Sequence, residues 1–147
     1  MDADKINAML DRSALQNLMD NAKRLGRDDI YRLAFARKCA LEGLTMDDPV
    51  EREFYTVLAA YEELLTEKNG RTTKANRTRQ KMKNKGIHQC LIDWTLGSPT
   101  DGFKLLVERD MPEMTAEFLV QKYANKFPED VVAAAKDRLQ VAGVKLN

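Results

Sequence analysis

The chain has 147 residues, of which 44% are apolar and 32% charged, with 24 Lys and Arg against 23 Asp and Glu. That length fits one domain, or two small helical subdomains sharing a core, and the composition is that of a folded chain rather than a disordered one. No apolar run approaches the roughly 20 residues needed to cross a bilayer, which excludes a helical membrane span.

Met1 to Lys5 lacks the basic-then-apolar order of a secretory signal. Cys39 and Cys90 each fall inside a helical pattern, with no metal-like spacing. Both therefore read as reduced core or near-core thiols of a cytoplasmic protein.

The punctuation along the chain is helical throughout. Ser13-Ala14-Leu15-Gln16 has the form of a capping box. Leu15, Leu18, Met19, Ala22 and Leu25 then share one face up to a stop at Gly26. Asp28 reads as the cap of a second helix, carrying Ile30, Tyr31, Ala34, Phe35 and Leu41 and ending near Gly43, so that 13–25 and 28–42 form a helical hairpin. Asp48-Pro49 is a cap followed by proline at the first helical position. From there Val50, Phe54, Val57, Leu58, Tyr61, Leu64 and Leu65 give the most strongly periodic helix in the chain, ending at Asn69-Gly70. Beyond residue 86, Ile87, Cys90, Leu91 and Trp94 make a short apolar stripe closed by Gly97. Residues 98–102 turn or start a helix that Met111-Pro112 breaks; a helix around Phe118 follows, and the last runs from Pro128 to Gly143. No segment alternates with period two. The expectation is an all-α helical bundle of about six to seven short helices with antiparallel neighbours and no sheet. Its parts are 1–70, a basic segment at 71–86 and 87–147.

That basic segment is the one feature pointing to a function. Residues 71–85 carry seven cations, Arg71, Lys74, Arg77, Arg79, Lys81, Lys83 and Lys85, leaving 17 basic against 23 acidic residues in the rest of the chain. No acid occurs from Lys68 to Ile92. On a helical wheel Lys74, Arg77, Lys81 and Lys85 share an arc about 80° wide, while Arg79 and Lys83 lie across a thin seam of Ala75, Thr78 and Met82. Thr72 or Thr73 can cap such a helix and Gly86 can end it. Like charges at Arg77, Lys81 and Lys85 repel at i, i+4, and the seam is too thin to offset this, so the segment is expected to be weakly ordered alone and to gain helix when an anion neutralises it.

Two rows of cations suit a phosphate backbone, and four to six phosphate contacts imply a slope of log K against log salt of about −4 to −5. Asn76, Gln80 and Asn84 lie together beside the cations, where amides can read adenine edges in a major groove. A helix-turn-helix is not assigned, because there the second helix enters the groove, and here the first carries the charge. Aromatic residues do not interleave with the run, which leaves single-strand stacking unsupported.

Chemistry is sparse elsewhere. His88 is the only histidine, and no phosphate-cradling glycine loop occurs. Of the acidic pairs Asp28-Asp29, Asp47-Asp48, Glu62-Glu63 and Glu129-Asp130, Asp28, Asp48 and Glu129-Asp130 fall at helix starts, where acids complement the macrodipole. Glu67, Lys68, Asn69 and Arg71 form the one cluster suited to a metal-dependent nuclease. The expectation is a small nucleic-acid-binding regulatory or accessory module, with DNA favoured slightly over RNA and no cofactor. Lys74, Arg77, Lys81 and Lys85 are its first contacts, and Arg79, Lys83, Arg71, Asn76 and Gln80 its secondary ones. The alternatives are an adaptor docking its cationic helix on an acidic protein partner and, third, the nuclease.

Overall fold

The computed structural model describes residues 2–146. The chain is all-α, with nine α-helices, three short 3-10 turns and no strand among the described residues. None of the helices is long and apolar enough to cross a membrane. The chain divides into two units, 1–60 and 61–147, so the longest helix starts in one and ends in the other.

The first unit contains α1 (Ala3–Asn7), α2 (Arg12–Arg24), α3 (Asp28–Ala40) and the start of α4 (Pro49–Asn69). Helix α1 is too short to show periodicity and contributes a single buried residue, Ile6. Helices α2 and α3 form the expected hairpin, packing Leu15, Met19 and Ala22 with Ile30, Ala34 and Phe35. Their turn closes with the Arg27 amide donating to the Ala22 carbonyl at 2.8 Å, the six-to-one bond of a Schellman end. Two caps differ from expectation. Asp11, not Ser13, caps α2, its carboxylate accepting from the Ser13 and Ala14 amides at 2.9 and 3.2 Å. A carboxylate two residues upstream displaces the hydroxyl, since an ionised acceptor bonds more strongly. Asp28 is the first residue of α3 rather than its cap. Asp48 does cap α4, accepting from the Glu51 amide at 3.0 Å.

The second unit holds the end of α4, α5 (Asn76–Lys85), α6 (Ile87–Leu96), α7 (Asp101–Glu108), α8 (Ala116–Lys122) and α9 (Glu129–Val141). Helix α6 packs on α8 and α9 through Cys90, Leu91, Leu119, Val120, Ala135 and Leu139. Inside this core sits a charged pair. Glu117 is buried and accepts from Arg138 at 2.7 Å, and the same guanidinium donates to the Trp94 carbonyl at 3.0 Å and to that of Gly97. Burial pushes the Glu117 carboxyl above its usual range, and the Arg138 bond and charge offset this only in part. Tyr61 lies half-buried in the same unit, its ring edge-on to Trp94 at 5.0 Å. Burial, and then the Glu117 charge, push its phenol well above the normal tyrosine range. Gly102 lies so close that a Cβ there would stand 2.8 Å from Tyr61 Cδ1.

Candidate nucleic-acid interface

The basic segment belongs wholly to the second unit. Helix α4 ends at Asn69, and the loop that follows is tied back onto it. The Thr73 amide donates to Thr66 Oγ1 at 3.0 Å, and Asn69 Nδ2 donates to Thr73 Oγ1 at 3.1 Å. Thr73 therefore holds the loop and does not cap α5. The cap position is Ala75, with no side-chain cap of its own. Its amide instead donates to Glu62 Oε2 at 2.8 Å.

Glu62 organises the segment. Its side chain is only 7% exposed, yet it receives Arg79 through two bonds, Nε to Oε2 at 2.6 Å and a terminal nitrogen to Oε1 at 2.7 Å. Lys74 Nζ stands 3.8 Å from Oε1. Burial acts to raise this carboxyl, but the Arg79 and Ala75 hydrogen bonds and the charges of Arg79 and Lys74 outweigh it and hold it below the usual carboxylate range. A second acid, Asp93 on α6, pairs with Lys81. Asp93 also accepts from Gln89 at 2.8 Å, and its carboxyl is lowered by the Lys81 bond, then by that of Gln89. The like charges within residues 71–85 thus face two acids outside the acid-free stretch, and α5 is helical from Asn76 to Lys85.

The seam lies where the wheel puts it. Ala75, Thr78 and Met82 are half-buried, and no residue of α5 is fully buried. Ala75 and Thr78 line one wall of a cleft of about 260 Å³ that they share with Leu64, Leu65, Trp94 and Leu105. Apolar contact under α5 is therefore incomplete, and the ion pairs position it. At its far end Gly86, at φ +90°, turns the chain directly into α6, a conformation that a Cβ disfavours.

The seven cations separate into two groups. Lys74, Arg79 and Lys81 face internal acids. Arg71, Arg77, Lys83 and Lys85 are exposed, and among the described residues none of these four forms an ion pair. Lys74 precedes the helix, so it does not belong to the cationic arc of the wheel. Asn76, Gln80 and Asn84 are all exposed, with Gln80 Nε2 donating to Asn84 Oδ1 at 3.4 Å.

The other candidates fall elsewhere. In the cluster of Glu67, Lys68, Asn69 and Arg71, Glu67 accepts from Arg109 at 2.8 Å and Asn69 donates to Thr73. No group of three or more potential metal ligands occurs among the described residues. His88 is exposed, its ring 5.4 Å from that of Phe127. Sequence reasoning treats Glu62 only as half of an acidic pair with Glu63, and gives Asp93 no part in holding the basic segment. Glu62 had a visible signal, for it sits four residues after Leu58 and three before Leu65, an acid set into an apolar stripe. Comparison with known proteins finds no matching family model, curated relative or solved structure.

Proposed function

We propose that this chain is a nucleic-acid-binding module of regulatory or accessory type, favouring duplex DNA over RNA and having no chemistry of its own. The observation that carries the reading is the exposed, unpaired set of Arg71, Arg77, Lys83 and Lys85 on a segment whose remaining cations fix it in place. Phosphate contact falls to these four, with Lys74 adjoining. Lys81 and Arg79 become positioning residues rather than contacts. Neutralising about four phosphates gives a log K against log salt slope near −3 to −4, shallower than the full cation count implies.

Fluorescence anisotropy with labelled duplex and single-stranded oligonucleotides across a salt series tests this. Duplex binding at about 50 mM salt is expected, with that slope, and Arg77→Glu combined with Lys83→Glu should remove it. No binding at that salt, or an affinity indifferent to the double substitution, would sink the proposal. Retention of one acidic protein by the same cations, with no oligonucleotide bound, would favour the adaptor.

A further inference from the structure

The outward face of α5 is not led by its cations. Taking Gln80 as the centre of that face, Asn76 and Asn84 stand about 40° to either side on the wheel, and Arg77 and Lys83 about 60° to either side. Ala75, Thr78 and Met82 point the opposite way, and all three are half-buried where the five outward residues are exposed. Of the three other cations of the helix, Arg79 and Lys81 lie near the edges and turn towards Glu62 and Asp93, and Lys85 stands in the last turn about 140° from Gln80. What remains outward is a ridge of three amides with one free cation on each flank.

A surface built only to neutralise phosphate would place charge at its centre. Here the centre is neutral and carries paired donors and acceptors, and the charge sits where the two groove edges would run. We infer that α5 enters the major groove of duplex DNA and reads adenine edges with Asn76, Gln80 and Asn84, while Arg77 and Lys83 hold the phosphates on the two sides. This rests on the nucleic-acid reading above and narrows its substrate to duplex DNA of preferred sequence.

The dimensions agree. An α-helix with its side chains is about 10–12 Å across, and the major groove of B-DNA is about 12 Å wide. Asn76 to Asn84 spans about 12 Å of helix axis, or three to four base pairs at roughly 3.4 Å each. Side-chain amides bond adenine N6 and N7 together, one donating and one accepting. The long Gln80–Asn84 contact of 3.4 Å is readily exchanged for such a pair. The deep, narrow major groove of A-form RNA does not admit a helix, and α5 has no aromatic residue on which a single strand would stack.

The test is selection of preferred sites from a random-sequence DNA duplex pool by the full chain, followed by measuring the affinity ratio between a selected duplex and its scrambled version. A preferred window of three to four base pairs containing adenine is expected. Gln80→Ala and Asn76→Ala should each lower the ratio roughly five- to hundredfold, and 7-deaza-adenine, which lacks the N7 acceptor, should lower it in the same way. Arg77→Ala should weaken both duplexes alike. A flat selection with duplex binding intact, a ratio unmoved by both amide substitutions, or equal competition by double-stranded RNA would overturn the inference while leaving nucleic-acid binding standing. Absence of any duplex binding would remove both.

Discussion

Arg79 holds Glu62 at both ends of its guanidinium, at 2.6 and 2.7 Å, across the gap between α4 and α5. The same carboxylate accepts from the amide that opens α5. One buried acid therefore does the work of a helix cap and of a tether, in a helix whose apolar seam is too thin to dock it. Charge-only reasoning says that removing an acid beside a cationic surface strengthens polyanion binding. The geometry says the reverse. Glu62→Gln should weaken duplex binding severalfold and speed amide exchange at residues 75–79, with a stability loss of about 1–3 kcal/mol in urea titration. Unchanged exchange, or tighter binding, would show that Glu62 only repels.

The same carboxyl predicts a pH response. Its folded value lies below the usual range, so the unfolded chain binds the proton more readily. Its stabilising contribution is then fully present above the unfolded value, about 4.3, and is lost as pH falls through the folded one. Glu117 runs the other way: its raised folded value makes stability fall as pH rises from the unfolded value through the folded one. Denaturation midpoints from about pH 3 to pH 7 should therefore lose a stabilising rise in Glu62→Gln, and should rise more steeply in Glu117→Gln than in the parent chain.

Arg138 is the most vulnerable single side chain of the second unit. Its guanidinium donates to Glu117 Oε2 and to the Trp94 and Gly97 carbonyls together. Arg138→Ala leaves a buried carboxylate and two carbonyls without it, at a cost of about 3–5 kcal/mol. Glu117→Gln keeps a hydrogen-bonding group in place and should cost less. Thermal melts rank the two, and equal losses would contradict the arrangement.

Gly102 is fixed by a neighbour rather than by its backbone. A methyl there would stand 2.8 and 2.9 Å from two Tyr61 ring carbons, and that ring is held by Trp94 at 5.0 Å. Gly102→Ala should destabilise by about 1–3 kcal/mol, and Tyr61→Leu should relieve part of the loss in the double variant. Strict additivity in a double-mutant cycle would count against direct contact.

Most of the helical punctuation was legible because it is local. Asp48-Pro49, Gly86 and Gly97 each stand at the boundary where the sequence placed them, whereas α7 ends at Glu108, before Met111-Pro112, in a turn made by Asp110 at φ 61°. Local signals misled at caps: Asp11 took the cap that Ser13 was expected to fill, Asp28 became the first residue of α3, and Thr73 held the loop before α5 instead of capping it. The candidate site was legible as a set of cations and amides, but not in its division of labour. Which cation faces an acid depends on Glu62, which is 12 residues from Lys74 and 17 from Arg79 in sequence, and on Asp93 in the next helix. Periodicity reports which face turns inward and says nothing of what waits there.

Pairing Lys74, Arg79 and Lys81 with the chain's own carboxylates has a kinetic consequence. A helix offering all seven cations would cling to any polyanion it met, and would leave slowly. With three of them already answered, each nonspecific encounter with a polyanion should be shorter-lived.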